Sequence, residues 1–142
     1  MKTLEKKIQI LRERIKRLKD ISARAKSFAD YQRSYDLKDM TERNVQVAIE
    51  ACLDIGKIII FKEGLKEPKD NKGIFVILGE AGIISRDLTS FLIPMAGTRN
   101  ILVHSYYKIE NGIMYGILKR HIEDFEAFLS EIKRNYLQKH QH

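Results

Sequence analysis

Cysteine, proline and tryptophan are scarce in this sequence, which contains one, two and none of them respectively. The single cysteine, Cys52, cannot form a disulfide within the chain, and its apolar neighbours Ala51 and Leu53 favour a buried, inert thiol over a nucleophile. Only Pro68 and Pro94 limit helix length, because proline breaks a helix interior. The chain is therefore expected to fold around an ordinary apolar core.

Long hydrophobic runs and zinc-type clusters are also missing. The apolar runs are short, as at residues 58–61 and 74–78, whereas a membrane-spanning helix needs about 20 apolar residues. Residues 1–7 lack the apolar stretch of a signal peptide, and no set of cysteines and histidines has the spacing of a zinc site. The sequence therefore predicts a cytoplasmic protein with no membrane contact and no metal or other cofactor.

The composition fits a single domain that spans residues 1–142, because 44% hydrophobic and 32% charged residues allow a chain of this length to bury its own core. The formal net charge is +7, and residues 1–26 hold ten basic and three acidic side chains, an excess equal to that whole charge. A basic helix of this kind could attract RNA phosphates. A solvated, lysine-rich helix face explains the same charge, and we favour it.

Apolar side chains recur every three or four residues through most of the sequence, which predicts amphipathic helices. The first stripe consists of Leu4, Ile8, Leu11, Ile15, Leu18, Ala25 and Phe28. A second helix is predicted over residues 39–61 and a last one over residues 114–136. The polar, glycine-containing segment 64–73 predicts a loop, and the Asn-Gly pair at residues 111–112 predicts a turn.

The region between the loop and the last helix is less regular. A third helix is predicted to begin at residues 74–78, and Ser85 predicts the start of another short helix, because a serine hydroxyl caps free backbone amides. Pro94 and Gly97 are expected to interrupt the helical pattern. Because no strand-like alternation occurs, the sequence predicts an all-α antiparallel bundle of about four to six helices.

Four polar side chains lie within an otherwise mainly apolar segment, residues 95–109: Arg99, Asn100, His104 and Tyr106. A histidine can move a proton near neutral pH, since its reference pKa is about 6.5. An arginine has a fork of donors that suits phosphate oxygens. Arg99 and His104 would together be sufficient to cleave RNA without a metal, with the histidine moving the proton and the arginine stabilising charge on the phosphate.

Helical geometry limits this hypothesis. Asn100 and His104 share a face, but Arg99 and His104 are about 140° apart around an ideal helix. The motif also has a single histidine, whereas the reaction needs two proton carriers. A symmetric homodimer would supply two Arg99/His104 pairs. Spacing alone favours a simpler interpretation, a helix surface with a satisfied histidine and a salt-bridged arginine.

The same segment resembles a known family. Arg99, Asn100 and His104 match the Arg-x4-His motif of the HEPN superfamily, and Tyr106 extends the match to the Arg-x4-His-x-Tyr motif of the HepT toxins. The short motif is weak, but the whole string from Met-Ala-Gly to this tyrosine is specific. The resemblance covers about residues 40–135, which is most of the chain.

The resemblance implies a helical HEPN domain that acts as a metal-independent endoribonuclease toxin, with Arg99 and His104 as catalytic residues and Asn100 in a supporting role. It implies a homodimer in which both pairs line a shared cleft. It also implies a partner, an MntA-type nucleotidyltransferase antitoxin that neutralises the toxin by attaching AMP to Tyr106. The added charge and bulk would then occupy the place of an RNA phosphate.

Two other functions are compatible with the residues. A HEPN domain can serve as a non-catalytic helical partner of a nucleotidyltransferase, although the intact Arg99, Asn100, His104 and Tyr106 argue against a degenerate copy. A nucleic-acid-binding bundle that uses the basic first helix would depend on the lysines and arginines of residues 2–26 rather than on His104.

Overall fold

The computed structural model describes residues 2–104 and 109–140. The helices of this part of the chain are α1 (Lys2–Arg24), α2 (Phe28–Arg33), α3 (Tyr35–Lys62), α4 (Asn71–Glu80), α5 (Arg86–His104), α6 (Asn111–Arg120) and α7 (Ile122–Ile132), followed by a π-helical turn (Lys133–Leu137) and a 3-10 turn (Gln138–His140). The all-α prediction is confirmed, since the described residues form no β-strand. None of these helices is long and apolar enough to cross a bilayer.

Helix α3 is the centre of the bundle, because it contacts each of the other six α-helices of the described chain. Its most extensive contact is with α1, which buries most of the predicted apolar stripe: Leu4, Ile8, Leu11, Ile15 and Leu18. The prediction was wrong at the end of the stripe, because α1 ends at Arg24, so that Ala25 follows the helix, and the exposed Phe28 begins α2. Cys52 is also buried in α3, and this burial raises the pKa of its thiol well above the usual range. The thiol therefore belongs to the core, as the sequence predicts.

Two glycines allow α4 to pack closely between α3 and α5. A Cβ atom added to Gly56 of α3 would lie 2.5 Å from Cγ2 of Ile74 on α4. A Cβ atom added to Gly79 of α4 would lie 2.4 Å from Oγ1 of Thr89 on α5. Both distances are far inside van der Waals contact, so the three helices approach this closely only because neither position carries a side chain. This packing places α5 against the central helix.

Helix α5 is longer than predicted and is not interrupted at Pro94 or Gly97. Ser85 caps its first turn as expected, because its hydroxyl accepts a hydrogen bond from the Leu88 amide at 3.1 Å. Pro94 has no amide hydrogen, so the carbonyl of Ser90, one turn earlier, loses its usual hydrogen bond. The proline is tolerated because both residues are exposed. Water can bind that carbonyl, so the predicted short helix and its interruption were wrong.

Other helix boundaries also differ from the prediction. Helix α4 begins at Asn71, before the predicted start, because the side chain of Asp70 caps it. The predicted turn at residues 111–112 forms the first turn of α6. The predicted last helix, residues 114–136, is divided at His121, where the backbone leaves the helical conformation. These divisions, together with the short α2, give the described chain seven α-helices instead of about four to six.

Candidate functional site

Arg99 is held by a carboxylate from the central helix. Its Nε and Nη2 atoms donate to Oε2 of Glu50 on α3, at 3.2 and 3.0 Å. The side chains of Arg99 and Glu50 keep 23% and 33% of their surface exposed, so the pair lies half-buried at the edge of the bundle. Hydrogen bonds between charged groups fix the direction of the guanidinium. Its Nη1 atom has no hydrogen bond to any residue that the structure describes.

Glu50 is a site residue that the sequence analysis did not single out. It is the one charged side chain in the stretch from Val47 to Leu53. A lone carboxylate in an apolar helix segment requires a partner, and that signal could have drawn attention to it. The partner itself could not be read from local spacing, because 49 positions separate Glu50 from Arg99.

A shallow pocket of about 340 Å³ lies beside the Arg99–Glu50 pair. The rest of its lining comes from α3 and the start of α4: Leu53, Asp54, Lys57 and Asn71. Nδ2 of Asn71 lies 3.4 Å from Oδ1 of Asn100, a long hydrogen bond that brings a second candidate residue of α5 to the edge of the pocket. The structure therefore places Arg99 and Asn100 at one concave surface.

The charges around this pocket favour an anion. Lys7 of α1 pairs with Asp54 at 3.0 Å, and Glu50 is engaged by Arg99, so both acids of the lining are already neutralised. Lys57 is exposed and forms no ion pair within the described chain. The groups left to attract a ligand are consequently the free edge of the guanidinium and a lysine ammonium, which suit a phosphate.

His104 is the last residue of α5 and is not part of this pocket. Its side chain is exposed and makes no hydrogen bond or ion pair within residues 2–104 and 109–140. Because α5 is continuous, Arg99 and His104 are about 140° apart around the helix and roughly 7.5 Å apart along its axis. The pocket of Arg99 therefore does not include His104 of the same chain, and Tyr106 lies outside the described residues.

Large apolar side chains are exposed on the same helix. Phe91, Ile101 and Val103 of α5 are 52%, 45% and 39% exposed, and Ile113 of α6 is 48% exposed. A groove of about 410 Å³ runs between α5 and α6 beside Phe91 and Ile113. Exposed apolar side chains beside a groove, such as Phe91 and Ile113, are typical of protein interfaces.

Among the residues that the structure describes, no three histidine, cysteine, aspartate or glutamate side chains are grouped so that they could hold a metal ion. The chemistry available at the site is that of an oriented arginine, an exposed histidine at the end of the same helix, and a nearby lysine. These groups can bind a phosphodiester and transfer protons.

Comparison with known proteins finds relatives over most of the chain. A family model described as ribonuclease HepT-like matches residues 11–132. An mRNA nuclease HepT from Shewanella oneidensis is 32% identical over 127 residues, which cover 89% of this chain and 93% of that protein. A tRNA nuclease HepT from Aphanizomenon flos-aquae is 27% identical over 106 residues, which cover 75% of this chain and 72% of that protein.

A solved structure also has the same fold. It is a tri-AMPylated Shewanella oneidensis HEPN toxin in complex with an MNT antitoxin. The two folds superpose with a TM-score of 0.83 at 30% sequence identity, over 92% of this chain and 96% of that one. The similarity thus extends through nearly the whole helical bundle.

Proposed function

This chain belongs to the ribonuclease HepT-like family and is an endoribonuclease, and we propose that it cleaves RNA without a metal ion, through Arg99 and His104. The observation that carries the proposal is the Arg99–Glu50 pair, which holds a guanidinium at an open pocket on the helix that ends at His104. Asn100 supports the site from the edge of the pocket. The proposed biological role is that of a toxin.

In the proposed reaction His104 moves protons. A neutral imidazole removes the proton from a ribose 2′-hydroxyl, and the 2′-oxygen attacks the adjacent phosphorus. The bond between phosphorus and the 5′-oxygen breaks, and a protonated imidazole gives its proton to that leaving oxygen. The products are a 2′,3′-cyclic phosphate and a 5′-hydroxyl, so atoms and charges balance without any water being consumed.

Arg99 acts on the phosphate during this step. Negative charge grows on the non-bridging oxygens as the 2′-oxygen approaches, and a donor that is already oriented stabilises that charge without further reorganisation. Glu50 acts through Arg99 as a positioning residue, because it accepts hydrogen bonds from Nε and Nη2 and so fixes the guanidinium at the pocket. Lys57 adds a second positive charge at the pocket.

The proposed working form is a homodimer. One chain keeps its histidine away from its arginine, whereas a two-fold axis near residues 95–107 would duplicate both groups and allow His104 of one copy to face Arg99 of the other. Support comes from the exposed apolar side chains that this helix carries, Phe91, Ile101 and Val103.

The proposed partner is an MntA-type nucleotidyltransferase that attaches AMP to Tyr106. Support comes from the position of this tyrosine, two residues after His104, and from the AMPylated state of the related Shewanella oneidensis toxin in its antitoxin complex. A phosphodiester on Tyr106 carries a negative charge that can pair with Arg99 and compete with RNA.

RNA cleavage by the purified protein in EDTA tests the proposal. Arg99→Ala should reduce the cleavage rate by about 10²–10³-fold, because it removes a donor to the transition state, and the helical circular-dichroism signal should persist. Arg86→Ala, at the exposed start of the same helix, is the matched control and should cleave like the unchanged protein. Activity that persists in Arg99→Ala or requires magnesium contradicts the mechanism. A folded protein that binds the nucleotidyltransferase but cleaves no RNA supports the non-catalytic alternative.

A further inference from the structure

One face of α3 leads from the Arg99 pocket to the carboxyl end of the helix. Four side chains spaced by four, three and four residues form a row on this face: Glu50, Asp54, Lys57 and Phe61. The Arg99 pocket reaches Lys57, and a second pocket of about 600 Å³ starts at the same lysine. This second pocket is lined by Lys57, Ile60, Phe61, Leu65, Glu67 and Pro68. The two pockets are neighbours along the row, because Lys57 lines both, and we refer to them together as the groove.

Phe61 is the most notable residue of this groove. Its side chain is 86% exposed, more than that of any other large hydrophobic residue in the described chain. It lies one residue before the end of α3, about 16 Å along the helix axis from Glu50. An aromatic ring with this exposure contributes little to the core, but it is free to stack against a flat ligand.

The segment from Lys57 to Lys72, which includes Phe61, has more basic than acidic side chains. Lys57 lines both pockets of the groove, and the other lysines follow it along the chain. Five lysines of this segment have no ion pair or hydrogen bond within the residues described: Lys57, Lys62, Lys66, Lys69 and Lys72. Of the three nearby acids, Glu63 pairs with His140 at 2.6 Å and Asp70 caps the amide of Gly73 at 2.8 Å. Glu67 is the remaining acid of this segment.

We propose that this groove is a track for single-stranded RNA, in which a base stacks on Phe61 and the lysines bind phosphates. The proposal rests on the proposed function, because the track begins at the pocket where Arg99 would hold the cleaved phosphate. Grooves that bind single strands combine positive charge with exposed aromatic rings. Lysine is instead depleted at protein–protein interfaces, so unpaired lysines around a single ring favour RNA over a protein partner.

The lack of tryptophan in the chain allows a direct test of stacking. Phe61→Trp, in the His104→Ala background that prevents cleavage, gives one fluorescent reporter in the track. A short single-stranded RNA of mixed sequence should quench its emission. The matched control is Tyr35→Trp, at the first residue of the same helix and 74% exposed, and its emission should change little. Equal quenching of the two reporters, or none in Phe61→Trp, overturns the proposal.

Affinity provides the second test, by fluorescence anisotropy of the same RNA in the His104→Ala background. Phe61→Leu keeps an apolar side chain but removes stacking, and it should weaken binding about 5- to 100-fold, whereas Phe61→Trp should bind normally. Lys57→Gln and Lys66→Gln should each reduce, by about 0.7, the steepness with which the logarithm of the binding constant falls with the logarithm of the salt concentration. Lys38→Gln, at the other end of α3, should leave this slope unchanged. If Phe61→Leu binds RNA normally and loses affinity only for the nucleotidyltransferase, the surface is a protein-docking site and the proposal is wrong.

Cleavage kinetics separate this proposal from the proposed function. A minimal dinucleotide occupies only the Arg99 pocket, so Phe61→Leu should raise KM for longer RNA and leave dinucleotide cleavage unchanged. If Phe61→Leu impairs cleavage of the long RNA and of the dinucleotide equally, Phe61 is not part of a track for RNA. If the unchanged protein cleaves neither substrate, the proposed reaction fails, and the fluorescence experiment still decides whether RNA stacks on Phe61.

Discussion

An arginine can stabilise a phosphate efficiently only if its guanidinium is oriented before the substrate binds. In this protein the orientation comes from Glu50, whose Oε2 accepts hydrogen bonds from both Nε and Nη2 of Arg99. The pair joins the central helix to the helix that carries the family motif, so the position of the guanidinium depends on how α3 and α5 pack. At the scale of single residues, Glu50 is therefore as important to the site as the motif that identified it.

Removal of the Glu50 carboxylate tests this role. Glu50→Ala should lower kcat for RNA cleavage by about 100-fold with a smaller change in KM, because a misplaced catalytic group costs roughly that much. Glu50→Gln keeps one acceptor oxygen and should retain more activity than Glu50→Ala. Glu123→Ala, which removes an exposed carboxylate on α7, is the control. If Glu50→Ala and Glu50→Gln lose thermal stability but not kcat, the residue is only structural.

The sequence identified part of this site and could not identify the rest. Arg99, Asn100 and His104 were recognised because they form a local motif, and the structure brings Arg99 and Asn100 to one pocket. The Arg99–Glu50 contact depends on helix packing between distant positions, which no local pattern encodes. Exposure of Phe61 was missed for the same reason, since it ends an apolar run that is otherwise largely buried.

At the scale of helices, local periodicity predicted some elements well. The apolar stripe of α1 lies on one face from Leu4 to Leu18, although the helix ends at Arg24, before the predicted Ala25 and Phe28. The prediction for α5 failed, because a proline breaks a helix only when the lost hydrogen bond is costly, and the exposed position of Pro94 reduces that cost. Whether a residue will be exposed depends on the packing of the whole bundle.

The basic face of α1 is partly neutralised within the described chain. Four of its basic side chains bind acidic or polar partners: Lys7 to Asp54, Arg14 to Asn44, Arg17 to Glu13 and Lys19 to Glu126. The five lysines between residues 57 and 72 have no such partners within the described chain. This contrast favours a solvated face for α1, as the sequence analysis did.

Charge reversal on α1 tests that assignment. Lys16→Glu combined with Arg17→Glu should leave the salt dependence of RNA binding nearly unchanged, because these side chains contact no phosphate. Binding is measured by anisotropy over a range of salt concentrations, beside Lys57→Gln as the positive control. A slope that falls by about 0.7 per reversed residue would show that α1 does bind RNA.

At the scale of the whole molecule, the site is incomplete in one chain. His104 ends α5 in solvent, away from the pocket of Arg99, and the apolar side chains of the same helix are exposed. Contact between two copies would bury those side chains and supply two histidines for a reaction with two proton transfers. The proposed homodimer would therefore supply what the proposed reaction needs.

A charge placed in the apolar surface tests the homodimer. Ile101→Asp should weaken dimerisation by about 100-fold or more, because a carboxylate would be buried without a partner, and cleavage should fall with it. Val76→Asp, a similarly exposed position on α4, is the control and should remain dimeric. Light scattering that finds only monomer for the unchanged protein at micromolar concentration argues against the dimer.

Control by the partner can be examined by mass spectrometry. Incubation with an MntA-type nucleotidyltransferase and ATP should add the mass of AMP to the peptide that contains Tyr106, and RNA cleavage should be lost. Tyr106→Phe should remain unmodified at that position and active. If the partner still neutralises Tyr106→Phe completely, control comes from complex formation rather than from the modification.

Cleavage of RNA by His104→Ala tests the central claim most directly. The purified unchanged protein, His104→Ala and the control His121→Ala are compared in EDTA, and the RNA ends are analysed. We expect the unchanged protein and His121→Ala to leave 2′,3′-cyclic phosphate or 3′-phosphate ends. We expect His104→Ala to be slower by about 10²–10⁴-fold with its helical fold intact, since it lacks the proton carrier. Cleavage by His104→Ala at the rate of the unchanged protein would contradict the account.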